Sequence, residues 1–245
     1  MNHQKEFRRV GLARALSKFG HCSRTRGFEL IRSGRVRING NVVRNPELPV
    51  RLEKDRIAVD GTRVEAEARI YLMMNKPRGV VTTASDEKGR VTVYAHLDPN
   101  LPWVGPVGRL DKASEGLLLL TNDSEWAAKL AAPESQVEKV YHAQVRAQAN
   151  ATLLDSLKRG VETLGEILHV KQVKILRQGN KNCWLEIVLH EGKNRQIRRI
   201  FEALEIEVLR LVRVAIGSLE LGKLKKGESR ALTREEKQAL DGALK

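Results

Sequence analysis

Four consecutive leucines, Leu117 to Leu120, constrain the fold more than any other feature of this 245-residue sequence. An uninterrupted apolar run of this length is typical of a strand that is buried on both faces. The loop that leads into the run lies between Gly108 and Gly116 and contains a carboxylate, Asp111. A lone aspartate at such a place is usually structural, because it caps a turn or pairs with an arginine. The rest of the sequence has to decide whether Asp111 has a chemical role.

Around this strand the sequence alternates strand-like and helical patterns. A second apolar run, Ile70 to Met74, follows a short polar stretch that marks a domain boundary. No predicted strand is followed by a glycine-rich dinucleotide or phosphate loop, so no nucleotide cofactor is expected. The alternation predicts an α+β fold. Its further elements are strands at 170–176 and 184–189 and helices at 125–131, 150–159 and 196–204.

The first sixty residues predict two short helices and a hairpin. Apolar residues recur at helical spacing from Leu12 to Phe19, and Gly20 suits the end of that helix. Ser23 can cap a second helix, which closes at Ser33-Gly34. Asn39-Gly40 then separates two valine-containing strands and is a strong hairpin signal.

The charge of the chain favours a polyanionic partner. The formal net charge is +14, and the first 52 residues hold 12 Lys and Arg against 3 acidic residues, a net charge of +9. A surface this basic attracts nucleic acid over long distances, although a solvated basic face can also serve solubility alone. The arginines that surround the second predicted helix and the strand after it can bind phosphates with their guanidinium groups. They are Arg24, Arg26, Arg32, Arg35 and Arg37.

Other classes of protein are disfavoured. No apolar run approaches the roughly 18 residues of a membrane span, and residues 1–9 lack the apolar stretch of a secretory signal, so a cytoplasmic chain is expected. Cys22 and Cys183 lie far apart and outside any metal-ligand pattern, which predicts two reduced, partly buried thiols. The six histidines show no paired ligand spacing, so no metal site is expected.

The N-terminal pattern resembles the S4-like RNA-binding domain over about residues 7–66. The resemblance implies that this domain attaches the chain to RNA, without stating the chemistry that follows. It rests on Gly20, Ser23-Arg24, Ile31, Gly34-Arg35-Val36, Ile38-Asn39-Gly40 and Val59-Asp60-Gly61.

Five ordered motifs in the rest of the chain resemble the pseudouridine synthase superfamily, in the form of its branch that acts on bacterial ribosomal RNA. The resemblance implies a mixed antiparallel-sheet catalytic domain over residues 70–236, behind a small helix–helix–hairpin RNA-binding domain. The motifs are 75–79 with 89–93, 108–111 with 116–123, 138–141, 191–199, and 211–214 with Gly217.

The resemblance implies roles for three residues. Asp111 is the catalytic aspartate, which attacks the ribose or otherwise assists glycosidic cleavage at the target uridine. Tyr141 stacks on the flipped base, and its phenol can assist proton transfer. Arg198 pairs with the aspartate, although Arg195 or Arg199 can share that role. The reaction is an isomerisation that needs no cofactor.

The same resemblance implies how the RNA is held. Ile197 and Leu211 form an apolar wall beneath the base, and basic side chains line the cleft into which the base is extruded. In addition to the basic residues of the first domain, those expected to bind RNA are Arg109, Lys193, Arg195, Arg199 and Arg213, with Arg210 also at the cleft.

The expected partner is ribosomal RNA or a ribosomal subunit precursor, with large-subunit RNA preferred over small-subunit RNA and a monomer as the default state. Ala113, Ser114 and Glu115 depart from the family pattern, which leaves Asp111 in place but limits the transfer of substrate details. The alternatives are a non-catalytic RNA-binding ribosome-assembly factor and a different RNA enzyme such as a methyltransferase. The second alternative requires a glycine-rich cofactor loop, which the sequence lacks.

Overall fold

The computed structural model describes residues 9–84 and 86–244. Residues 1–8, which include residues 7 and 8 of the predicted first domain, and Lys245 lie outside the described residues. The chain divides into two compact units. The first contains the described residues up to Ile70 together with Asp98–Gly105 and Thr121–Ser124, and the second contains the remainder.

The segments Asp98–Gly105 and Thr121–Ser124 fall within the range predicted for the second domain, residues 70–236, but belong to the first unit. Asn122 explains part of the difference, because its side-chain amide donates to the carbonyl of Ala68 at 2.7 Å and its oxygen accepts from the amide of Ile70 at 2.9 Å. The amide of Trp103 likewise donates to the carbonyl of Gly20 at 3.0 Å. Hydrogen bonds between distant segments of the chain leave no local pattern in a sequence.

The first unit has two helices beside a small sheet, in the predicted order of helix, helix and hairpin. Its sheet has the strand order β3-β2-β5-β6, and β1 pairs separately with β4. The elements are β1 (Arg9–Gly11), α1 (Leu12–Lys18), α2 (Arg24–Arg32), β2 (Val36–Ile38), β3 (Asn41–Val43), β4 (Pro49–Arg51), β5 (Ile57–Val59) and β6 (Thr62–Arg63).

Local chemistry explains these boundaries. The Ser23 hydroxyl accepts a hydrogen bond from the amide of Arg26 at 3.1 Å and caps α2 as predicted. Asn39 and Gly40 both have positive φ, 50° and 91°, which is the conformation that a two-residue hairpin turn requires. Cys22 is buried in the core of this unit, and burial raises the pKa of its thiol to about 11. Cys22 and Cys183 are both free and buried, so that prediction is confirmed.

The remaining elements follow in chain order and build one large sheet, a separate two-stranded sheet of β11 and β12, and several helices. They are β7 (Tyr71–Lys76), β8 (Gly105–Val107), β9 (Glu115–Thr121), α3 (Ser124–Ala131), β10 (Lys139–Val145), α4 (Ala151–Arg159), β11 (Val161–Thr163), β12 (Glu166–Leu168), β13 (Gln172–Gln178), β14 (Cys183–Leu189), α5 (Gln196–Ala203), β15 (Val208–Ile216), β16 (Leu219–Glu220), β17 (Ser229–Ala231) and α6 (Arg234–Gly242), with 3-10 turns at Val93–His96 and Pro133–Ser135.

The large sheet has the strand order β13-β14-β10-β15-β9-β7-β17. It is mixed, because β9 runs parallel to β15 whereas β10 is antiparallel to both β14 and β15. The predicted α+β class with a mixed, largely antiparallel sheet is confirmed. All seven residues of β9 are buried, as expected from the leucine run. No helix in the described chain is both long and apolar enough to cross a bilayer.

Candidate active site

A cleft of about 580 Å³ opens in the second unit, between the loop before β9, the strands β10 and β15, and the loop before α5. This volume lies in the range of sites that bind small molecules or single nucleotides. The cleft contains most of the residues expected to form the site: Arg109, Asp111, Tyr141, Lys193, Arg195, Ile197, Leu211 and Arg213. Arg198 and Arg199 do not line it.

Asp111 presents its carboxylate to the cleft with 34% of the side chain exposed. Its charged neighbour is Arg195, whose Nη1 atom lies 4.0 Å from Oδ2 of Asp111. Arg195 has a left-handed backbone conformation, φ 51°, at the residue that precedes α5. Of the three arginines considered from the sequence, Arg195 is therefore the one within ion-pair distance of the aspartate.

Arg198 does not pair directly with Asp111, contrary to the first choice made from the sequence. Its Nη2 atom donates to the carbonyl of Ala113 at 3.0 Å, and its Nη1 atom to the carbonyl of Val208 at 3.5 Å. Burial lowers the pKa of Arg198, and the positive charge of Arg195 lowers it further. Arg198 thus holds the backbone of the loop that contains Asp111 rather than its carboxylate.

Lys76, at the end of β7, is completely buried and was not identified as a site residue from the sequence. Its Nζ atom donates to the carbonyls of Asp111 at 3.1 Å and Ser114 at 2.8 Å, and to that of Pro77 at 3.1 Å. Burial lowers the pKa of Lys76 to about 8, against the opposing attraction of Asp111 and Glu115. The signal available in the sequence was a lysine two residues after the apolar run Ile70 to Met74. A lysine that is buried at such a place requires several acceptors for its ammonium group.

The segment 110–114, here called the aspartate loop, has a hydrogen bond to every one of its carbonyls. Lys76 donates hydrogen bonds to the carbonyls of Asp111 and Ser114, and three further groups donate to the other three carbonyls. They are the Thr82 hydroxyl to Leu110 at 2.8 Å, the Gly79 amide to Lys112 at 2.7 Å and the Arg198 guanidinium to Ala113 at 3.0 Å. A loop with all of its acceptors paired holds its side chains in one geometry, which a reacting carboxylate needs.

Glu115, one of the departures from the family pattern, is almost fully buried at the start of β9. Its carboxylate pairs with Arg210 at 2.8 Å and with Lys226 at 2.6 Å. Arg210 also lies over the ring of Trp184, 5.5 Å from its centroid. It does not line the cleft, contrary to the expectation from the sequence. These contacts anchor the end of the aspartate loop, and both cations favour the charged carboxylate, so the pKa of Glu115 is lowered despite its burial.

Gly116 allows β9 to approach β15 next to the aspartate loop. Its φ of +104° is unfavourable for other residues, and a Cβ atom there would lie 2.3 Å from the carbonyl oxygen of Arg213. We expect Gly116→Ala to lower the free energy of unfolding by about 2 kcal/mol, measured by urea denaturation. Gly165→Ala is the matched control, because Gly165 shares the positive φ, +80°, but has open space around it. An equal loss in both variants would contradict the close-approach argument.

Tyr141 and the apolar walls lie on neighbouring elements. Tyr141 is half-buried on β10 and packs against the core cluster that includes Ile197 of α5 and Leu211 of β15. Ile197 and Leu211 are buried at 3% and 6% exposure and also line the cleft. The three side chains thus provide an aromatic ring and two aliphatic groups on the same cavity as Asp111.

The basic residues differ in their availability. Arg109, Lys193 and Arg195 are exposed at the cleft, and Lys193 pairs with Glu166 at 3.0 Å. Arg199 binds the same Glu166 at 2.7 Å and also the Thr163 hydroxyl, and it does not line the cleft. Its role in binding RNA stays a prediction.

Arg213 lines the cleft but is only 5% exposed. The position of Arg213 at the cleft agrees with the expectation, and its role in binding RNA stays a prediction.

In the first unit, the four arginines expected to bind RNA, at 24, 26, 35 and 37, are all exposed. Arg35 pairs with Asp60, Arg26 pairs with Glu29 at 2.8 Å, and Arg37 donates to the carbonyl of Gly40 at 3.0 Å. Exposed ion pairs of this kind are weak and can be exchanged for contacts with phosphate.

Comparison with known proteins agrees with this geometry. The model of the RNA pseudouridylate synthase family matches residues 70–203, and that of the S4 domain matches residues 10–57. The chain is 39% identical over 233 residues to the ribosomal large subunit pseudouridine synthase B of Bacillus subtilis (strain 168), covering 94% of each chain. It is 39% identical over 224 residues to an uncharacterized RNA pseudouridine synthase of Rickettsia bellii (strain RML369-C), covering 91% of this chain and 96% of that one.

Among solved structures, the crystal structure of a pseudouridylate synthase superposes with a TM-score of 0.66 at 29% identity. The match covers 94% of this chain and 99% of the other. The likeness therefore extends over nearly the whole length of both proteins.

Proposed function

The chain belongs to the RNA pseudouridylate synthase family, a family of isomerases, and carries an S4 RNA-binding domain; from this premise we propose that it isomerises a specific uridine of ribosomal RNA, with Asp111 as the catalytic carboxylate. Large-subunit RNA is the preferred substrate, in keeping with the name of the Bacillus subtilis relative, and small-subunit RNA is next. The observation that carries the proposal is the Asp111 carboxylate, held at a nucleotide-sized cleft that also contains Tyr141.

The proposed chemistry begins at the ribose of the extruded uridine. A carboxylate beside the anomeric carbon can bond to it or stabilise positive charge on the sugar, as carboxylates do in glycosidases. Arg195, whose Nη1 atom lies 4.0 Å from the carboxylate, places a positive charge beside it. Tyr141 stacks on the uracil while Ile197 and Leu211 cover the apolar side of the base. The base then turns and rejoins the ribose through carbon.

The position of Arg198 suits a positioning role in this scheme. Its bond to the carbonyl of Ala113 helps to hold the aspartate loop, while Arg195 supplies the charge next to the carboxylate. A displacement of about 1 Å in a reacting group costs about 100-fold in rate, so a residue that holds the loop affects turnover without touching the substrate.

The basic residues have two places in the proposal. Arg109, Lys193 and Arg195 contact phosphates around the extruded nucleotide at the cleft. The exposed arginines of the S4 domain at 24, 26, 35 and 37 bind RNA elsewhere and raise the local concentration of the target. Extrusion of a base costs a few kcal/mol, which stacking and phosphate contacts offset. We also propose that the protein works as a monomer in the cytoplasm without a nucleotide cofactor, on ribosomal RNA or a subunit precursor.

Pseudouridine mapping of ribosomal RNA from a strain that lacks the gene tests this function. The strain is complemented with the wild-type gene or with the Asp111→Asn gene, and both ribosomal RNAs are mapped. We expect one site to disappear on deletion and to return only with the wild-type gene. An unchanged map after deletion would favour a non-catalytic assembly factor or a target outside ribosomal RNA.

A further inference from the structure

Arg213 on β15 is a buried arginine with an unused donor. Its Nε atom donates to the carbonyl of Leu117 at 2.7 Å, which fixes the orientation of the guanidinium group. Its Nη2 atom is buried and has no hydrogen-bond partner among the described residues. Buried charged groups are normally fully hydrogen-bonded, because an unpaired donor in a low-dielectric interior is costly. Because Arg213 lines the cleft, a small turn of its guanidinium group can offer this donor to a ligand.

Arg213 lies among the residues that are proposed to enclose the base and is not an exposed side chain. Arg213 is the direct strand partner of Tyr141 in the antiparallel pair of β10 and β15, so both side chains project from the same face of the sheet. Both line the cleft that contains Asp111, as does Leu211, two residues earlier on the same strand. The groups proposed to enclose the uracil therefore surround Arg213.

A second cation adds to the positive charge at this wall. Lys139 lies two residues before Tyr141 on β10, lines the same cleft, and makes a single long hydrogen bond, 3.4 Å, to the carbonyl of His190. Burial lowers the pKa of Lys139, and the positive charge of Arg213 lowers it further. Within residues 9–84 and 86–244, neither cation has a carboxylate at ion-pair distance. This side of the cleft thus has two positive charges that can pair with negative charge on the substrate.

Isomerisation of uridine produces negative charge at this place. When the C1′–N1 bond breaks, both bonding electrons leave with N1, and the uracil becomes an anion with its charge spread over N1, O2 and O4. Its C5 atom then bonds to C1′, the hydrogen of C5 leaves as a proton, and N1 gains a proton, so atoms and charge balance. This holds whether Asp111 bonds to the sugar or acts as a base on it.

We propose that Arg213, supported by Lys139, donates to the uracil anion and stabilises it while it is detached from the ribose. The inference rests on the proposed function and adds to it a residue that recognises the leaving group. Bound uridine is neutral, so this interaction strengthens only as the bond breaks, and it acts on the rate rather than on the affinity for RNA.

The test compares uridine with 5-fluorouridine at the target position of the RNA, in single-turnover measurements of substrate consumption. Fluorine makes N1 of the base more acidic and the base a better leaving group, which then needs less help from the protein. We expect Arg213→Met to slow consumption of uridine about 100-fold, the typical effect of removing one such donor, and to slow consumption of 5-fluorouridine several-fold less. Lys139→Met should show the same pattern with a smaller loss. Arg177→Met, at an exposed arginine of β13 in the same sheet, is the matched control.

Binding measurements separate this role from a phosphate contact or a folding defect. In an Asp111→Asn background, we expect Arg213→Met to change the Kd for RNA by no more than about 2-fold, because the ground state is neutral. A weaker Kd together with a salt dependence reduced by about one counterion would identify a phosphate ligand instead and overturn the proposal. Equal losses for the two bases in Arg213→Met and in Lys139→Met would also overturn it. Wild-type protein that forms no pseudouridine would overturn the proposed function together with this inference, whereas equal losses would overturn the inference alone.

Discussion

Asp111→Asn is expected to lower the single-turnover rate of pseudouridine formation by about 10⁴-fold or more, the scale on which loss of a nucleophile acts. The amide has nearly the same shape as the carboxylate but cannot bond to the anomeric carbon or balance positive charge on the ribose. The aspartate loop keeps its backbone hydrogen bonds, which involve carbonyls and not the Asp111 side chain. The variant should therefore bind the RNA with a Kd within about 2-fold of the wild-type value.

Asp155→Asn is the matched control, because Asp155 is an exposed carboxylate on α4, outside the cleft. We expect it to keep the wild-type rate. A rate for Asp111→Asn within 10-fold of wild type would contradict the assignment of Asp111. A variant that is slow and also fails to bind RNA would show a folding or binding defect, and circular dichroism and urea denaturation would identify the former.

Lys76→Met is expected to produce the second large effect. The variant removes the Lys76 donor from the carbonyls of Asp111, Ser114 and Pro77. The Ser114 carbonyl lies in a buried place, whereas the Asp111 carbonyl keeps its hydrogen bond from the Ser114 amide at 3.0 Å. We expect the free energy of unfolding to fall by about 2 kcal/mol, since an unpaired buried acceptor costs about 1–3 kcal/mol. We also expect turnover to fall about 100-fold, because the aspartate loop is no longer held in one position and the Asp111 carboxylate is displaced.

The contribution of Lys76 to stability should depend on pH. Burial lowers the pKa of Lys76 in the folded protein to about 8, whereas in the unfolded chain it is near 10.5. Between these values the unfolded chain binds a proton that the folded protein has released, so the free energy of unfolding rises with pH across this window. The wild-type protein should gain stability relative to Lys76→Met from pH 8 to pH 10.5, as measured by urea denaturation at several pH values.

Lys181→Met is the control for both measurements, because Lys181 is an exposed lysine in the turn between β13 and β14. It should match the wild-type protein in turnover and in the pH dependence of stability. A difference between wild type and Lys76→Met that stays constant or shrinks as the pH rises from 8 would show that the Lys76 ammonium is not destabilised by burial.

The parts of the fold that could be predicted are those with local causes. The leucine run predicted the buried strand β9 because a short, continuous apolar sequence next to glycine is typical of a strand covered on both faces. Ser23 predicted the start of α2, and Asn39-Gly40 predicted the hairpin, because a capping hydroxyl and two positive φ angles are properties of a few neighbouring residues.

The parts of the site that could not be predicted depend on contacts between distant residues. Lys76 and Asp111 are 35 residues apart, and their contact exists only once β7 and β9 are neighbours in the sheet. The choice between Arg195 and Arg198 depends on where α5 begins, since a side chain just before a helix and one in its first turn point in different directions. Composition and motif order contain neither kind of information.

Release of tritium from C5 of uridine tests the central claim most directly, because the hydrogen of C5 leaves as the new carbon–carbon bond forms. The purified chain is incubated with unmodified large-subunit and small-subunit ribosomal RNA transcripts that carry tritium at C5 of uridine, and the tritium released into water is counted. The account predicts release that levels off at one uridine per molecule of the substrate RNA, and no release with Asp111→Asn. No release from either RNA with the wild-type protein, or equal release with Asp111→Asn, would contradict it.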